Sequence, residues 1–209
     1  MSIKKENNNK LIIISSPSGA GKTTICKLLL KRINNIDLSI SYTTRPKRLN
    51  EKNGKDYYFV NHDKFIKLKK QNLFVETAKN FNHYYGSPYT NIKKSFLKNK
   101  SILFDIDWKG AKKLRSKYSK NQIIDFFILP PNKKELKRRL EKRGSNNNKE
   151  IQIRLSYALT EINHHVDYKY VLINDKINQT VKSLIDIINY NFLVTSINDK
   201  VVKKLKFFK

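Results

Sequence analysis

Near the start of the chain stands the octapeptide Ser16-Pro17-Ser18-Gly19-Ala20-Gly21-Lys22-Thr23. It follows the short β-branched run 11–14, typical of a central parallel strand, and precedes residues 24–33, whose apolar positions have helical spacing. The glycines let backbone N–H groups turn toward phosphate oxygens, and the helix N-terminus adds partial positive charge. The octapeptide therefore predicts a phosphate-binding loop (P-loop), in which Lys22 reaches the outer phosphates and the Thr23 hydroxyl ligates Mg²⁺.

One position departs from the usual pattern of such loops, because Ser16 stands where a glycine is expected. In such loops, the glycine expected at this position is the one least involved in phosphate contacts. A chance match in a loop rich in Gly and Ser is the alternative, and the strand before and the helix after weigh against it. The motif indicates nucleoside triphosphate binding and does not identify the second substrate.

Length and composition limit the class of protein. The 209 residues, 39% of them hydrophobic, suffice for one core with a small inserted lobe or lid. No apolar run approaches the roughly 20 residues of a membrane span, and residues 1–10 lack a signal-peptide core. The single cysteine, Cys26, excludes a disulfide framework or thiolate metal site, and the histidines have no ligand-like spacing. We expect a soluble cytoplasmic protein without structural zinc, and a homo-oligomer is left open.

The formal net charge of +27 raises the alternative of a nucleic-acid-binding protein. The lysines, however, are spread from Lys4 to Lys209, and no recognised binding module accompanies them. Lys, Asn and Ile are all abundant, as AT-rich coding would produce. We interpret most lysines as solvated surface residues, and we expect neither a specific nucleic-acid partner nor a membrane partner.

Strand-like and helix-like segments alternate through most of the chain. Further strands are predicted at 101–106, 123–129 and 170–173, and further helices at 108–118, 132–142, 150–164 and 176–192. This alternation predicts an α/β fold with a central parallel sheet flanked by helices on both faces. Asn132 followed by Glu135 is similar to a capping box at the start of one helix.

Two regions interrupt the alternation. Residues 39–89 contain strand-like pieces at 57–60 and 74–77 and a helix near 63–70, and we interpret them as an insertion that holds the second substrate. The polar stretch 144–148 between two basic helices has the composition of a mobile lid. We therefore predict a single domain, 1–209. Its parts are a core at 11–38 and 90–192, the insertion, a lid region at 139–154 and a basic tail at 193–209, which we expect to be loosely ordered from Ile197 onward.

Three groups of charged residues are candidates for chemistry. Arg45 and Arg48 flank a proline and suit a dianionic monophosphate, although an exposed basic loop would be favoured if they stood alone. Asp105 and Asp107 lie two apart at a strand end, where alternation sends both to one face, suited to Mg²⁺ or substrate; an exposed acidic turn is the alternative. Arg139 and Arg143 share a helix side, and solvated arginines are the alternative there.

The order and intervals of these motifs resemble one family. They are accompanied by the stretches Gly54-Lys55-Asp56-Tyr57-Tyr58-Phe59, Glu76, Asn82-His83-Tyr84-Tyr85-Gly86-Ser87, Asp105-Ile106-Asp107-Trp108 and Asn174-Asp175. With the phosphate loop they closely resemble guanylate kinases, which move a phosphate from ATP to GMP in purine nucleotide metabolism. The resemblance covers residues 11–192, nearly the whole chain.

The resemblance implies a role for each matching position. The predicted GMP site, with a phosphate clamp followed by guanine-reading residues, consists of Arg45, Arg48, Tyr57 and Tyr85, then Ser41, Glu76, Ser87 and Asp107. The predicted ATP site consists of Ser18, Gly19, Ala20, Gly21, Lys22, Thr23, Thr24, Asn174 and Asp175, the last two bordering the adenine. The implied catalytic cations are Lys22, Arg45, Arg139, Arg143 and Arg154, with the last three in the lid, and Mg²⁺ is expected at Thr23 and Asp105.

At Glu76, the chemistry of a carboxylate by itself distinguishes guanine from adenine. A carboxylate accepts hydrogen bonds from both N1–H and the exocyclic amine of guanine, whereas adenine offers an unprotonated N1, and such a match discriminates by roughly 10⁴. On its own, Glu76 reads as a surface strand residue. The expected substrates are ATP and GMP, with dGMP as a further acceptor; the alternatives are a catalytically inactive peptide-binding module of the same fold or a P-loop kinase with another acceptor.

Overall fold

The computed structural model of the chain describes residues 9–142 and 148–205. The strands are β1 (Leu11–Ser15), β2 (Ile36–Leu38), β3 (Tyr42–Thr43), β4 (Tyr58–Phe59), β5 (Phe74–Asn80), β6 (His83–Pro88), β7 (Ser101–Asp105), β8 (Ile123–Leu129) and β9 (Tyr170–Ile173). The helices are α1 (Lys22–Arg32), α2 (His62–Lys70), α3 (Tyr89–Leu97), α4 (Trp108–Lys117), α5 (Lys133–Lys142), α6 (Asn148–Ile162) and α7 (Ile177–Leu205).

Two sheets organise these elements. The larger sheet has the strand order β2-β7-β1-β8-β9, and every neighbouring pair in it is parallel. The smaller sheet has the order β4-β3-β6-β5 and is mixed, with β6 antiparallel to both of its neighbours. The carboxyl ends of the central strand β1 and of its neighbour β7 therefore lie side by side, where ligands of such folds bind.

Alternation along β1 builds two cores on opposite faces of the larger sheet. Ile12 and Ile14 pack with residues of α1 and α7, whereas Leu11 and Ile13 pack with residues of α3 and α4. All four side chains are fully buried, as expected for a strand covered by helices on both faces. The predicted α/β class with a central parallel sheet is confirmed.

The smaller sheet is more extensive than the sequence predicted. The strand-like pieces at 57–60 and 74–77 correspond to β4 and β5, but β3 and β6 of the smaller sheet were not predicted. Strand β2 of the larger sheet and helix α3 were not predicted either. Strand β3 is too short to show periodicity, and β6 carries polar and aromatic residues with no clear alternation. The β5–β6 hairpin turns at Phe81 and Asn82, both with positive φ, a conformation that asparagine tolerates.

The predicted loosely ordered tail is wrong for most of its length. Helix α7 does not end at Phe192 but continues to Leu205, and only residues 206–209 lie outside the described part. No glycine or proline interrupts 177–205, and Leu193 and Ile197 continue the helical spacing of apolar residues. The net positive charge of the tail was therefore a poor reason to predict disorder.

Helices α5 and α6 flank the predicted lid. Asn132 accepts a hydrogen bond from Glu135 N at 2.8 Å, which is half of the predicted capping box. The Glu135 carboxylate turns instead to Arg138 and Arg139, at 2.6 and 2.7 Å. Of the predicted polar lid stretch 144–148, Asn148 begins α6, and the other four positions fall in 143–147, outside the described residues.

Within the described residues, no helix is both long and apolar enough to cross a membrane.

Candidate active site

A cavity of about 730 Å³ lies where the two sheets meet. Its walls come from the loop after β1, from the turn after β7 and from the smaller sheet. The predicted site residues that line it are Ser18, Gly19, Gly21, Lys22, Thr23, Thr24, Ser41, Arg45, Arg48, Tyr57, Glu76, Tyr85, Asp105, Asp107, Arg139, Asn174 and Asp175. One cavity thus brings together groups predicted for two different nucleotides.

The loop between β1 and α1 has the backbone that its glycines permit. Gly19 and Gly21 have φ values of +91° and +96°, a region that disfavours side chains. A Cβ at Gly21 would also meet Asn174 Nδ2 at 2.6 Å. The loop therefore depends on these glycines, and its geometry is the one expected of a phosphate-binding loop.

Two side chains from the far end of the chain hold this loop. Asn174 donates from Nδ2 to the Ala20 carbonyl at 2.8 Å, and Arg139 donates to the same carbonyl at 3.3 Å. Arg139 also donates to the Asn174 carbonyl at 3.0 Å. Ala20 is fully buried and does not line the cavity. Asn174 and Asp175, both predicted beside adenine, line the cavity, and Asn174 is buried.

Lys22 and Asp105 form an ion pair at the cavity wall. Lys22 Nζ lies 2.6 Å from Asp105 Oδ1 and donates to the Ile106 carbonyl at 3.0 Å. Burial alone would lower the pKa of Lys22, but the Asp105 carboxylate outweighs burial and raises this pKa above its usual range. The ammonium therefore stays charged at the point where the loop enters α1.

Asp105 and Asp107 both line the cavity, but strand alternation, the predicted cause, does not place them there. Strand β7 ends at Asp105, so Asp107 lies beyond the strand and its position is not set by strand alternation. Asp107 caps α4, with Oδ1 accepting from Gly110 N at 2.9 Å. Ile106 between them is buried, and both carboxylates line the cavity. The alternative of a solvent-exposed acidic turn does not hold.

The arginine pair has an acidic partner that the sequence analysis missed. Glu51 contacts Arg45 Nη2 through both carboxylate oxygens, at 2.7 and 2.9 Å, and accepts from Arg48 N at 2.9 Å. Burial would raise the pKa of Glu51, but the hydrogen bond from Arg45 and the nearby charges lower it. The Arg45 guanidinium also lies 5.6 Å from the ring centre of Tyr57. Glu51 is the only acid between positions 45 and 55, which was the available signal.

A buried carboxylate network faces the cavity from the smaller sheet. Glu76 is only 3% exposed, and its Oε1 accepts from Ser87 Oγ at 2.7 Å. Ser87 does not line the cavity itself but lies 2.9 Å from Ser41 Oγ. Burial, with a contribution from the negative charge of Asp107, raises the pKa of Glu76 to about 7. A surface strand residue would show none of this.

The Glu76 carboxylate packs closely against the first turn of α4, where Gly110 has no side chain. A Cβ at Gly110 would lie 2.7 Å from Glu76 Oε2, so only glycine allows the approach. Gly110 is also the residue whose N–H Asp107 caps. The two acidic residues predicted to read guanine therefore meet at one helix N-terminus, whose dipole favours negative charge.

The predicted lid arginines are only partly brought together. Arg139 lies at the phosphate loop, as described above, and Arg154 is half-buried on α6. Arg143 lies outside the described residues. A further acid from α6 was not predicted: Glu161 accepts a hydrogen bond from Ser18 N at 3.1 Å. It follows the lid by several turns and carries no local motif, so the sequence offered little signal.

Comparisons with known proteins agree with one another. The family model described as guanylate kinase matches residues 8–191. The guanylate kinase of Rickettsia prowazekii is 45% identical over 186 residues, 89% of this chain and 93% of its own length. That of Wolbachia pipientis is 43% identical over 189 residues, 90% and 92% of the two chains. The crystal structure of guanylate kinase from Anaplasma phagocytophilum matches with a TM-score of 0.73 and 34% identity, covering 87% and 85% of the chains.

Proposed function

Because the chain belongs to the guanylate kinase family and is a phosphotransferase, we propose that it transfers the γ-phosphate of ATP to GMP in the cavity between its sheets. The observation that carries this proposal is the common lining of the cavity by the phosphate loop and the buried Glu76 carboxylate. We extend the proposal to dGMP, because the side chains assigned to the acceptor read its base and phosphate.

The guanine ring binds against the Glu76 network. The carboxylate accepts from N1–H and the exocyclic amine, while Ser87, Ser41 and Asp107 surround it. The hydrogen bonds within the network fix the side chain before the ligand enters, so little ordering is needed on binding. Adenine presents an acceptor at N1 and is excluded.

The acceptor phosphate binds to the arginine pair. Arg45 is oriented by Glu51 and leaves part of its donor fork for phosphate, and Arg48 follows on the same loop. The hydroxyls of Tyr57 and Tyr85 complete the clamp, since both line the cavity. Burial raises the pKa of Tyr57, with a contribution from Asp105, so this hydroxyl stays a neutral donor.

The triphosphate binds to the loop after β1. Backbone N–H groups around Gly19 and Gly21 take the phosphates, Thr24 adds a contact, and Asp175 borders the adenine. The described residues contain no group of three or more His, Cys, Asp and Glu side chains suited to a metal ion. This fits a Mg²⁺ ion held mainly by phosphates and water, with Thr23 and Asp105 as its protein contacts. Bound Mg²⁺ would neutralise phosphate charge.

Transfer then depends on alignment and charge stabilisation. A GMP phosphate oxygen attacks the γ-phosphorus in line while the bond from this phosphorus to the bridging oxygen breaks and ADP leaves. Lys22 stabilises the charge that develops on the transferred group. Arg45 acts from the acceptor side, while Arg139, Arg143 and Arg154 act from the donor side. Closure of the lid region, 139–154, and of the lobe at 39–89 excludes water, which would otherwise hydrolyse ATP.

A panel of acceptors tests the proposal. Purified protein with ATP and Mg²⁺ is offered GMP, dGMP, AMP and UMP in a coupled assay of ADP release. We expect turnover with GMP and dGMP only. Equal turnover of AMP or UMP would reject the guanine assignment. Absence of any turnover would favour a peptide-binding module, and salt-sensitive RNA binding unaffected by GMP would favour a nucleic-acid function.

Replacing Arg45 with alanine is expected to raise the KM for GMP about tenfold to a hundredfold, since a charge-assisted hydrogen bond to phosphate is lost. Binding of a non-hydrolysable ATP analogue should stay within about twofold of wild type, because Arg45 belongs to the acceptor clamp. Steady-state kinetics and calorimetry measure the two effects. Lys47→Ala, an exposed cation in the same loop, is the matched control. Unchanged GMP kinetics in the Arg45 variant would show that the clamp is elsewhere.

GMP binding is expected to strengthen as pH rises from 6 to 8. The Glu76 carboxyl has its pKa raised to about 7 by burial, and only its ionised form accepts both guanine hydrogen bonds. Its ionised fraction grows about tenfold over this range, so the Kd for GMP should fall by a similar factor. Calorimetric titrations at several pH values measure it. The GMP phosphate also titrates near pH 6, so Glu76→Gln isolates the carboxyl contribution.

The same raised pKa affects stability in the opposite direction. A folded-state pKa above the unfolded value means that the protonated carboxyl is favoured in the fold. Its stabilising contribution is complete below the unfolded pKa near 4.5 and is lost as pH rises through about 7. Between about pH 4.5 and pH 7, the free energy of unfolding of the wild type should therefore fall relative to that of Glu76→Gln. Denaturant melts at several pH values measure this difference. A constant difference would contradict the assigned pKa.

A further inference from the structure

Glu161 reaches the phosphate loop from a distant part of the chain. Its Oε2 accepts a hydrogen bond from Ser18 N at 3.1 Å, across 143 positions of sequence. The side chain is half-buried and lines the cavity. A carboxylate beside a loop that receives polyanions is unexpected, because its charge opposes the ligand.

The loop divides its N–H groups between two kinds of acceptor. Ser18 N donates to Glu161, and Ala20 N donates to the Pro17 carbonyl at 3.2 Å. Within 9–142 and 148–205, the N–H groups of Gly19, Gly21 and Lys22 have no acceptor. The glycine end of the loop is thus open to phosphate, while the Ser18 end is held by the protein.

The helix that carries Glu161 also carries a predicted catalytic cation. Arg154 lies seven residues earlier on α6, which places both residues on the same helix face, about 10 Å apart along the axis. Between them, Leu155 and Ala158 pack against α5 through Leu136 and Leu140. The contact at Ser18 therefore fastens the C-terminal end of α6 to the loop.

We propose that Glu161 is a positioning residue for phosphoryl transfer: its hydrogen bond to Ser18 N fixes α6 on the phosphate loop and thereby places Arg154 relative to the transferred phosphate. This inference rests on the proposed function. Because transfer is sensitive to displacements of about 1 Å, loss of the contact acts on kcat more than on substrate binding.

Two variants separate reach from charge. Glu161→Gln keeps an oxygen acceptor at the same reach and should retain kcat within about threefold. Glu161→Asp keeps the charge but is one methylene shorter, and its kcat should fall about tenfold to a hundredfold with an unchanged KM for GMP. Thr160→Ala is the control, because Thr160 is an exposed neighbour whose hydroxyl donates to the Tyr157 carbonyl of its own helix. Thermal melts of all variants verify folding.

A measurement without nucleotide tests the contact itself. Hydrogen exchange of the Ser18 amide should be faster in Glu161→Asp than in wild type and unchanged in Glu161→Gln. The inference is overturned if Glu161→Asp keeps wild-type kcat, or if Glu161→Gln loses as much as Glu161→Asp. A lower KM for ATP with undiminished kcat in Glu161→Asp would overturn it too, by showing that the carboxylate competes with phosphate. A wild-type protein inactive on GMP would instead overturn the proposed function, even with the expected exchange pattern.

Discussion

Lys22→Ala is expected to lower kcat for GMP phosphorylation by about a thousandfold, because the variant lacks the cation that the phosphate loop itself carries. The ammonium lies at the loop's junction with α1, and its pairing with Asp105 at 2.6 Å keeps it charged despite burial. GMP binding should change by less than about threefold, since the acceptor clamp is on the other sheet. Rapid-quench or steady-state assays of ADP release give the first quantity, and calorimetry gives the second.

Lys27→Ala provides a close control for this experiment. Lys27 lies on the same helix and also pairs with an aspartate, Asp56, at 2.8 Å, but its side chain is 59% exposed. Loss of this pair should leave kcat within about twofold, as is usual for exposed ion pairs. If both variants lost kcat equally, damage to α1 would explain the result and the role of Lys22 would be rejected.

The sequence predicted those features that depend on local spacing. The phosphate loop is recognisable because the glycines at 19 and 21 and the lysine at 22 stand in one octapeptide, and the positive φ values of the two glycines give the physical reason. Four of the five strands of the larger sheet were predicted, because long apolar runs such as those of β1 and β8 are typical of strands buried on both faces. The three-residue strand β2 is too short for such a run and was missed.

Features that depend on distant contacts were not predictable in the same way. Glu161 lies 143 positions from Ser18, and nothing nearby in sequence shows that the two bind. Glu51 lies only six positions from Arg45, but a single acid in a polar loop forms no motif that identifies its partner. Asn174 was predicted to border adenine, and its further contact with the Ala20 carbonyl, across 154 positions, had no local signal. Such partners follow from tertiary packing, which periodicity does not encode.

Glu76 combines both kinds of information. The chemistry of guanine favours a carboxylate at position 76. Only the fold shows that Glu76 is 3% exposed, accepts a hydrogen bond from Ser87 and occupies the space that a side chain at position 110 would fill. Burial at this level supports the proposed role of Glu76 in base recognition, because an unmatched partner in such a place is left without hydrogen bonds.

Glu76→Gln should therefore cause the largest change in substrate preference. The amide cannot accept from both guanine donors, so kcat/KM for GMP is expected to fall about a thousandfold to ten-thousandfold. The amide nitrogen can instead donate to adenine N1, so AMP turnover should rise relative to GMP. Folding should survive, because the raised pKa of Glu76 shows that its charged form is unfavourable in the free protein.

The comparison of GMP with AMP makes this test specific. Glu141→Gln makes the same chemical change at a half-exposed carboxylate on α5 and should leave both substrates unaffected. Equal losses for GMP and AMP in Glu76→Gln would point to a collapsed site and reject the base-reading role. A selective loss for GMP requires that the carboxylate touch the base, since the two nucleotides carry the same ribose and phosphate and differ only in what their rings donate and accept.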